Sequence, residues 1–167
     1  MEIERKWLVR PADVERAKTG HTSIANLAQG YLVVADDGAE LRVRMKLIAQ
    51  PMVSVTYKGV GTLAREEREI LLSAEQTQAF PRLLELCHER VLSKTRFALP
   101  DGGELDVYQR PEGLVVYEHE FASHEAAATF VAPQFCGVEV TGDKRFKNQV
   151  LAMVGLDSEA GKLLKRS

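Results

Sequence analysis

The segment MEIERKWLV, residues 1–9, alternates charged side chains with others along a stretch that has strand character. Glu2, Glu4 and Lys6 occupy every second position, and Trp7 follows Lys6 directly. Successive side chains of a strand point to opposite faces, so the three charges share one face and Trp7 lies on the other. A charged face in contact with solvent would give the same pattern, because antiparallel sheets commonly expose one face. Residues 1–9 alone leave both interpretations open.

Eight segments of the chain have the composition of β-strands bounded by turns. The predicted strands span residues 2–9, 27–35, 40–48, 52–59, 64–72, 91–99, 103–109 and 113–121. Several are joined by short turns rich in Asp and Gly, and connections this short make neighbouring strands antiparallel. Helices are expected near residues 11–18, 74–88, 124–131, 144–154 and 157–165. Pro81 should divide the second of these helices.

The alternating charges of residues 1–9 return in most of the other strands. LRVRMK, residues 41–46, places Arg42, Arg44 and Lys46 on one face, and seven of the eight strands contribute to such a polar row. The acids of these rows are Glu2, Glu4, Glu67, Glu69, Glu104, Asp106, Glu118 and Glu120. The bases are Lys6, Arg42, Arg44, Lys46, Lys58, Arg65, Lys94 and Arg96. The predicted charged face is therefore dense but nearly neutral.

Eight antiparallel strands suit a closed barrel, which removes the exposed edges of an open sheet. We expect an α+β fold: a closed eight-stranded antiparallel β-barrel with amphipathic helices packed outside. The helices could cover the apolar strand faces and leave the charged faces to line a central tunnel. A barrel with a dry core and a charged exterior has the same periodicity. Alternating rows of Arg, Lys and Glu suit phosphate and metal binding, which favours the tunnel.

Length and composition narrow the class of protein. The 167 residues, 45% of them hydrophobic, fit one domain spanning 1–167. A net charge of −2 argues against a nucleic-acid-binding surface that makes a whole domain basic. Cys87 and Cys136 are too few and too far apart for a disulfide framework or a Cys-x-x-Cys metal site. We expect a soluble cytoplasmic protein with no membrane segment.

The ordered motifs of the chain resemble those of the CYTH family, also called the triphosphate tunnel metalloenzymes. Glu2-Ile3-Glu4-Arg5-Lys6 is similar to the family's ExExK signature. Further matches follow along nearly the whole chain: Gln29-Gly30-Tyr31-Leu32, Arg42 and Arg44 as RxR, Thr56 and Lys58 as TxK, Arg65, Glu67 and Glu69 as RxExE, Lys94 and Arg96 as KxR, Glu118 and Glu120 as ExE, and residues 140–148 as the closing segment of small bacterial members. Eight motifs in the same order make this resemblance specific.

The resemblance implies a tunnel that binds a triphosphate in an extended row. The predicted substrate-binding bases are Lys6, Arg42, Arg44, Lys58, Arg65, Lys94 and Arg96. The predicted metal ligands are Glu2, Glu4, Asp106, Glu118 and Glu120. Among the candidate acids Glu2, Glu4, Glu118 and Glu120 are the first choices, and Asp106, Glu67 and Glu69 come second. Arginine forks match phosphate oxygens, and carboxylates are hard ligands suited to Mg²⁺ or Mn²⁺. A metal-activated water would attack the terminal phosphorus with help from a carboxylate, for which Glu4 and Glu120 are the candidates.

Two other side chains need a separate assignment. Tyr31 is a strand aromatic, and such residues are more often packing elements. A phenol at the tunnel mouth could instead influence water activation, and Gly30 beside it would permit a close approach, so Tyr31 is also a catalytic candidate. His119 alternates with Glu118 and Glu120 and should face outward.

The leading functional prediction is metal-dependent hydrolysis of inorganic triphosphate to phosphate and pyrophosphate. The substrate is then a small molecule, neither nucleic acid nor membrane is a partner, and the protein is a monomer or a homodimer. The alternatives are a nucleoside or thiamine triphosphatase, an adenylyl cyclase on the same fold, and a non-catalytic polyphosphate-binding module. Intact acidic rows argue against the binding module, because binding alone would need mainly the basic wall.

Overall fold

The computed structural model describes residues 2–61 and 63–166. The strands in these ranges are β1 (Glu2–Val9), β2 (Ser23–Val34), β3 (Glu40–Leu47), β4 (Pro51–Lys58), β5 (Ala64–Arg65), β6 (Glu67–Leu71), β7 (Val91–Ala98), β8 (Glu104–Arg110), β9 (Val115–Glu120) and β10 (Cys136–Glu139). The α-helices are α1 (Val14–Lys18), α2 (Ala74–Thr77), α3 (Phe80–Leu86), α4 (His124–Thr129), α5 (Asn148–Val154) and α6 (Ser158–Arg166). Pro11–Asp13 and Lys144–Phe146 form short 3-10 turns.

The strands form a ring of antiparallel neighbours. Its order is β1-β9-β8-β7-β2-β3-β4-β6, and β5 returns the chain to β1 by pairing Arg65 with Glu2 and Ala64 with Ile3. Only Glu66 separates β5 from β6, so the two act as one broken strand between β4 and β1. Counted this way, eight strands close the barrel, and the predicted fold class is confirmed. Closure leaves few unpaired strand edges.

The sheet differs from the sequence prediction at two places. β2 begins at Ser23 rather than near residue 27, because its first residues pair with β7, starting with Ser23 opposite Ala98. β10 is absent from the prediction, and it pairs with the second half of β1. Its four residues, CGVE, show no alternation of charged and apolar side chains. Pairing with β1, rather than a local pattern, defines this strand.

The helices follow the local signals in the sequence. Ser73 and Gln76 form a capping box in which each side chain accepts a hydrogen bond from the other residue's backbone N–H, at 3.2 and 2.9 Å. Pro81 lies in the first turn of α3, where a missing N–H costs no helical hydrogen bond, so the predicted helix 74–88 is split into α2 and α3. No helix among the described residues is long and apolar enough to span a membrane.

Apolar side chains on the outer faces of the strands are covered in two places. α3 packs on β2, β3 and β4, where Phe80 and Cys87 contact Val43 and Val53 in one buried cluster. Gly30 allows this approach, since a Cβ atom there would lie 2.5 Å from the sulfur of Cys87. Gly30 therefore serves helix packing outside the barrel, and the expected close approach on the tunnel side, beside Tyr31, is not what the structure shows. Around the other side, Trp7 on β1 packs against Tyr117 and Phe130, with ring centroids 5.8 and 5.7 Å apart.

A third apolar cluster fills one end of the barrel interior. It combines side chains from the strands with others from α5, α6 and the segment before α5: Leu8, Tyr31, Leu92, Tyr108, Leu114, Val116, Val140, Phe146, Leu151, Ala152 and Ala160. Leu8 continues the inward row of Glu2, Glu4 and Lys6 on β1, so the row changes from charged to apolar along the strand. The interior is therefore a cup, closed by this apolar cluster and open where β1 begins and β9 ends.

Candidate active site

The charged strand faces point into the barrel, where they surround a cavity of about 170 Å³. The cavity is lined by Glu2, Glu4, Lys6, Leu27, Arg42, Arg44, Lys46, Lys58, Arg65, Glu67, Lys94, Arg96, Glu104, Glu118, Glu120 and Asn148. All seven predicted substrate-binding bases and four of the five predicted metal ligands are in this set. The inward orientation of the charged rows is confirmed, and the alternative of a charged exterior with a dry core is wrong.

Five side chains from β1, β7, β8 and β9 form what we call the buried ion network: Lys6, Lys94, Arg96, Asp106 and Glu118. Arg96 donates two hydrogen bonds of 2.7 Å to the carboxylate of Asp106 and one of 2.9 Å to Glu118. Lys94 also donates to Asp106, and Lys6 donates to Glu118 at 2.8 Å. Each charge has a partner of opposite sign, which burial of ions requires.

Burial and ion pairing both shift the pKa values of groups in the buried ion network. Burial alone would raise the pKa of Glu118, but Lys6, Lys94 and Arg96 hold that pKa well below its usual range. Burial lowers the pKa of Lys94, and the attraction of Asp106 and Glu118 only partly offsets this effect. Glu118 therefore stays ionised at the base of the cavity.

The geometry disagrees with the prediction that Asp106 is a metal ligand. Its side chain is fully buried and does not line the cavity. One carboxylate oxygen accepts from Arg96, and the other accepts from both Arg96 and Lys94. Both oxygens are thus already occupied by cations. Asp106 is a counter-ion that holds Lys94 and Arg96 in place.

A second set of ion pairs lies where β5 joins β1. Lys58 donates to Glu2 at 2.8 Å and lies 2.7 Å from Glu67. Arg65 donates to Glu2 at 3.1 Å and to Glu4 at 3.4 Å. Burial tends to raise the pKa of Glu2, but Lys58, Glu67 and Arg65 outweigh it and lower the pKa from 4.5 to about 2. The cations on this side of the cavity are largely neutralised by neighbouring acids.

The β3 row of Arg42, Arg44 and Lys46 is neutralised much less. Arg42 is buried, with 4% exposure, yet its nearest carboxylate, Glu67, is 3.9 Å away and its Nε atom has no hydrogen-bond partner among the described residues. Arg44 has a pKa lowered by burial and by repulsion from Arg42 and Arg96. Within the described chain, Lys46 makes no ion pair. Arg44 donates to Glu69 at 3.3 Å, so the positive charge without a close carboxylate among the described residues is that of Arg42 and Lys46.

Acids accumulate at the open end of the cavity. Glu4 and Glu120 are directly opposite each other on β1 and β9, an arrangement in which like charges repel. Burial raises the pKa of Glu120, and the nearby Glu2, Glu104 and Glu4 raise it further. We call these four side chains the acidic edge. An additional cation would relieve their repulsion.

Carboxylates of the acidic edge have the chemistry of a site for a hard divalent cation. Among residues 2–61 and 63–166, no three His, Cys, Asp or Glu side chains already converge closely enough to hold a metal ion. Mg²⁺ is typically held by one or two carboxylates together with water and substrate phosphates. The acidic edge, which faces the β3 row across the cavity, fits this shared mode of binding.

The structure places Tyr31 away from the cavity mouth. Its ring is fully buried in the apolar cluster that closes the barrel, and its hydroxyl accepts a hydrogen bond of 2.8 Å from Gln29. Burial and the charge of Glu40 raise its pKa. The expected mouth position is wrong, because β2 ends at the closed end of the barrel, and these contacts are those of a packing residue. His119 faces outward as predicted, stacked on Phe130 at 4.4 Å.

The structure adds residues to the site that the sequence did not assign to it. Lys46 and Glu104 belong to the alternating rows, so their position was available from the pattern, although no role was given to them. Asn148 enters the cavity from α5, and no strand periodicity could reveal that. Glu69, a second-choice ligand, is bound instead by Ser54 and Thr56, each at 3.0 Å.

The assignment of Asp106 as a counter-ion can be tested by stability. Replacing Asp106 by Asn leaves Lys94 and Arg96 buried with one acid fewer, and breaking a buried pair of this kind costs about 3 kcal/mol or more. The free energy of unfolding should fall by that amount in urea denaturation. Glu112→Gln, at an exposed turn, is the control and should change it by less than about 0.5 kcal/mol. Equal stability of the two variants would contradict the assignment.

The amino-acid sequence is similar to those of two known inorganic triphosphatases. The chain is 40% identical over 157 residues to an inorganic triphosphatase of Nitrosomonas europaea, covering 91% of this chain and 97% of that protein. It is 31% identical over 159 residues to an inorganic triphosphatase of Acetivibrio thermocellus, covering 90% of this chain and 92% of that protein. No protein-family model matches the chain.

The fold comparison agrees with the sequence comparison. The crystal structure of the inorganic triphosphatase NE1496 superposes with a TM-score of 0.58 and 36% identity, over 92% of this chain and 95% of that one. The ordered charged motifs, the closed barrel and these full-length relatives all agree. The chain therefore belongs to the CYTH family of triphosphate tunnel metalloenzymes.

Proposed function

We propose that this protein is an inorganic triphosphatase, which hydrolyses triphosphate to phosphate and pyrophosphate inside the barrel. The observation that supports this most is the buried, unpartnered Nε atom of Arg42 within a row of three cations. Such a donor is costly to bury unless a ligand accepts from it. An anion with several oxygens along its length, such as a polyphosphate, matches the row of Arg42, Arg44 and Lys46.

The size of the cavity favours a small substrate. Its volume of about 170 Å³ is below the roughly 300 Å³ at which pockets for drug-sized ligands begin. Its lining is almost entirely charged, and Leu27 is the single apolar side chain among the lining residues. A nucleoside or thiamine group would have to remain at the mouth and would contribute little binding energy to the transition state.

Different side chains of the cavity have different roles in this reaction. Arg42 and Arg44 would fork onto phosphate oxygens, and Lys46 would add a mobile charge nearer the mouth. The buried ion network holds Lys6, Lys94 and Arg96 at fixed positions. Their positive charges are therefore preorganised before the substrate binds, as electrostatic catalysis requires. Mg²⁺ or Mn²⁺, held by Glu4 and Glu120 with help from Glu2 and Glu118, would supply charge neutralisation at the phosphates.

The proposal also covers the partners, the compartment and the oligomeric state of the enzyme, which we infer from the sequence. The net charge of −2 gives no reason to expect a nucleic-acid partner. Two free thiols agree with a reducing cytoplasm. We propose one domain spanning 1–167, acting as a monomer or a homodimer on a small-molecule substrate.

Removing the guanidinium of Arg42 should impair turnover while the barrel stays folded. Arg42→Ala is expected to lower kcat/KM for triphosphate at least tenfold, or about 1.4 kcal/mol. Arg42→Lys should recover only part of this loss, because an ammonium cannot form a planar fork. Steady-state phosphate release measures both. Arg68→Ala, an exposed residue of β6, is the matched control, and equal kcat/KM for the two Ala variants would refute the role of the β3 row in phosphate binding.

Removing acids from the acidic edge should impair metal binding. Glu4→Gln and Glu120→Gln are expected to abolish activity and weaken Mg²⁺ binding in calorimetry, because each removes a charged ligand. Wild-type protein in EDTA should be inactive and still folded by circular dichroism. Glu89→Gln, in the exposed turn after α3, should change neither property. Turnover at an undiminished rate in EDTA would show that the metal assignment is wrong.

The products distinguish the proposed reaction from its alternatives. With triphosphate and Mg²⁺, anion-exchange chromatography should show one phosphate and one pyrophosphate per turnover, at a faster rate than with ATP or thiamine triphosphate. A cyclase would release pyrophosphate and cyclic AMP from ATP. Cyclic AMP as the main product would overturn the proposal, and tight triphosphate binding without turnover under Mg²⁺ and Mn²⁺ would leave a binding module.

A further inference from the structure

Glu40 is a buried acid whose position the proposed function has not yet explained. It begins β3 and continues the inward row of Arg42 and Arg44 toward the closed end of the barrel. Its exposure is 5%, yet within the described residues its carboxylate makes no hydrogen bond or ion pair. The other buried acids of the interior, Glu4, Asp106 and Glu118, all have cations within 3.4 Å.

A small space lies beside this carboxylate. Its volume is about 20 Å³, enough for one water molecule. Glu40, Arg42, Arg65, Lys147 and Asn148 are among its lining residues. Glu4, Lys6, Arg42, Arg65 and Asn148 also line the main cavity, so the two spaces adjoin. A water there would have both a carboxylate acceptor and several donors.

Titratable side chains from several elements surround Glu40. They are Lys6 on β1, Tyr31 on β2, Arg42 on β3, Lys58 on β4, Arg65 on β5, and Lys147 before α5. Burial raises the pKa of Glu40, and the four cations Arg65, Arg42, Lys58 and Lys6 only partly offset that rise. Glu40 consequently binds a proton more readily than an ordinary surface carboxylate does.

The direction of the reaction makes this position important. Phosphoryl transfer requires the attacking and leaving oxygens to lie on opposite sides of the phosphorus, roughly in line. A triphosphate that extends along the β3 row has one terminal phosphorus toward the closed end and one toward the mouth. At the deeper phosphorus the leaving bridging oxygen lies toward the mouth, so a water that attacks there comes from the closed end. Glu40 and its adjoining water-sized space occupy that end.

We propose that Glu40 is the general base that holds and deprotonates the attacking water in triphosphate hydrolysis. This inference rests on the proposed function. The water oxygen forms a bond to the terminal phosphorus while the bond from that phosphorus to the bridging oxygen breaks. The bridging electron pair leaves with pyrophosphate, and the water's proton passes to the Glu40 carboxylate. Glu40 returns that proton to solvent before the next turnover.

The decisive variant is Glu40→Gln, which keeps the shape of the side chain and removes the base. Its kcat for triphosphate with Mg²⁺ should fall at least 100-fold, within the range for general bases, while KM stays within about threefold. Glu40→Asp keeps a carboxylate and should retain more activity than Glu40→Gln. In wild type, kcat should decline toward acid pH as Glu40 becomes protonated, and the residual activity of Glu40→Gln should lack that decline.

Stability separates this role from a structural one. Glu40→Gln removes a buried carboxylate without close partners, so urea denaturation should show equal or greater stability than wild type. Glu66→Gln, the exposed acid between β5 and β6, is the control and should keep wild-type kinetics. A kcat for Glu40→Gln within threefold of wild type, or a change confined to KM, would overturn the inference and leave the triphosphatase proposal intact. Wild-type protein that releases no phosphate would overturn both.

Discussion

The pairing of buried charges is the interaction on which the rest of this structure depends. A barrel with charged side chains inside can fold only if each desolvated ion meets one of opposite sign. Asp106 makes this possible on β7 and β8, because its two oxygens bind both Lys94 and Arg96. Glu118 then joins Arg96 to Lys6 on β1. These contacts connect strands that are distant in sequence and fix the cations that face the cavity.

Incomplete pairing marks where the barrel would act on a ligand. Among the described residues, Arg42 and Lys46 of the β3 row have no close carboxylate and Glu120 of the acidic edge has no ion-pair partner, on facing sides of the same cavity. A triphosphate together with a divalent ion would supply both missing charges at once. The ions that are fully paired thus hold the scaffold, and those that are not form the site for which we propose catalysis. Buried ion pairs serve here as a means of positioning rather than as a source of stability.

The apolar cluster at one end gives the cavity a direction. Leu8, Leu92 and the helices α5 and α6 fill that end, so within the described residues the cavity opens where the acidic edge lies. The same closure brings Glu40, Lys147 and Asn148 together around a space for one water. This asymmetry supports the proposed attack from the closed end on a substrate that enters from the open end. An eight-stranded barrel that was charged along its whole length would impose no such order.

The sequence by itself determined the eight segments that form the barrel, the antiparallel arrangement of neighbours and the members of the charged face, because side-chain alternation and short turns are local properties, whereas β10 is defined only by its pairing with β1. It could not decide whether that face pointed in or out, since the period is the same in both cases. Only the tertiary structure settled this, by placing α3, α5 and α6 on particular surfaces. The tertiary structure also showed that Asp106 is a counter-ion and that Tyr31 is buried, because both properties depend on which residues of other strands lie next to them. Residues such as Asn148 reach the cavity through helix docking, for which strand periodicity holds no signal.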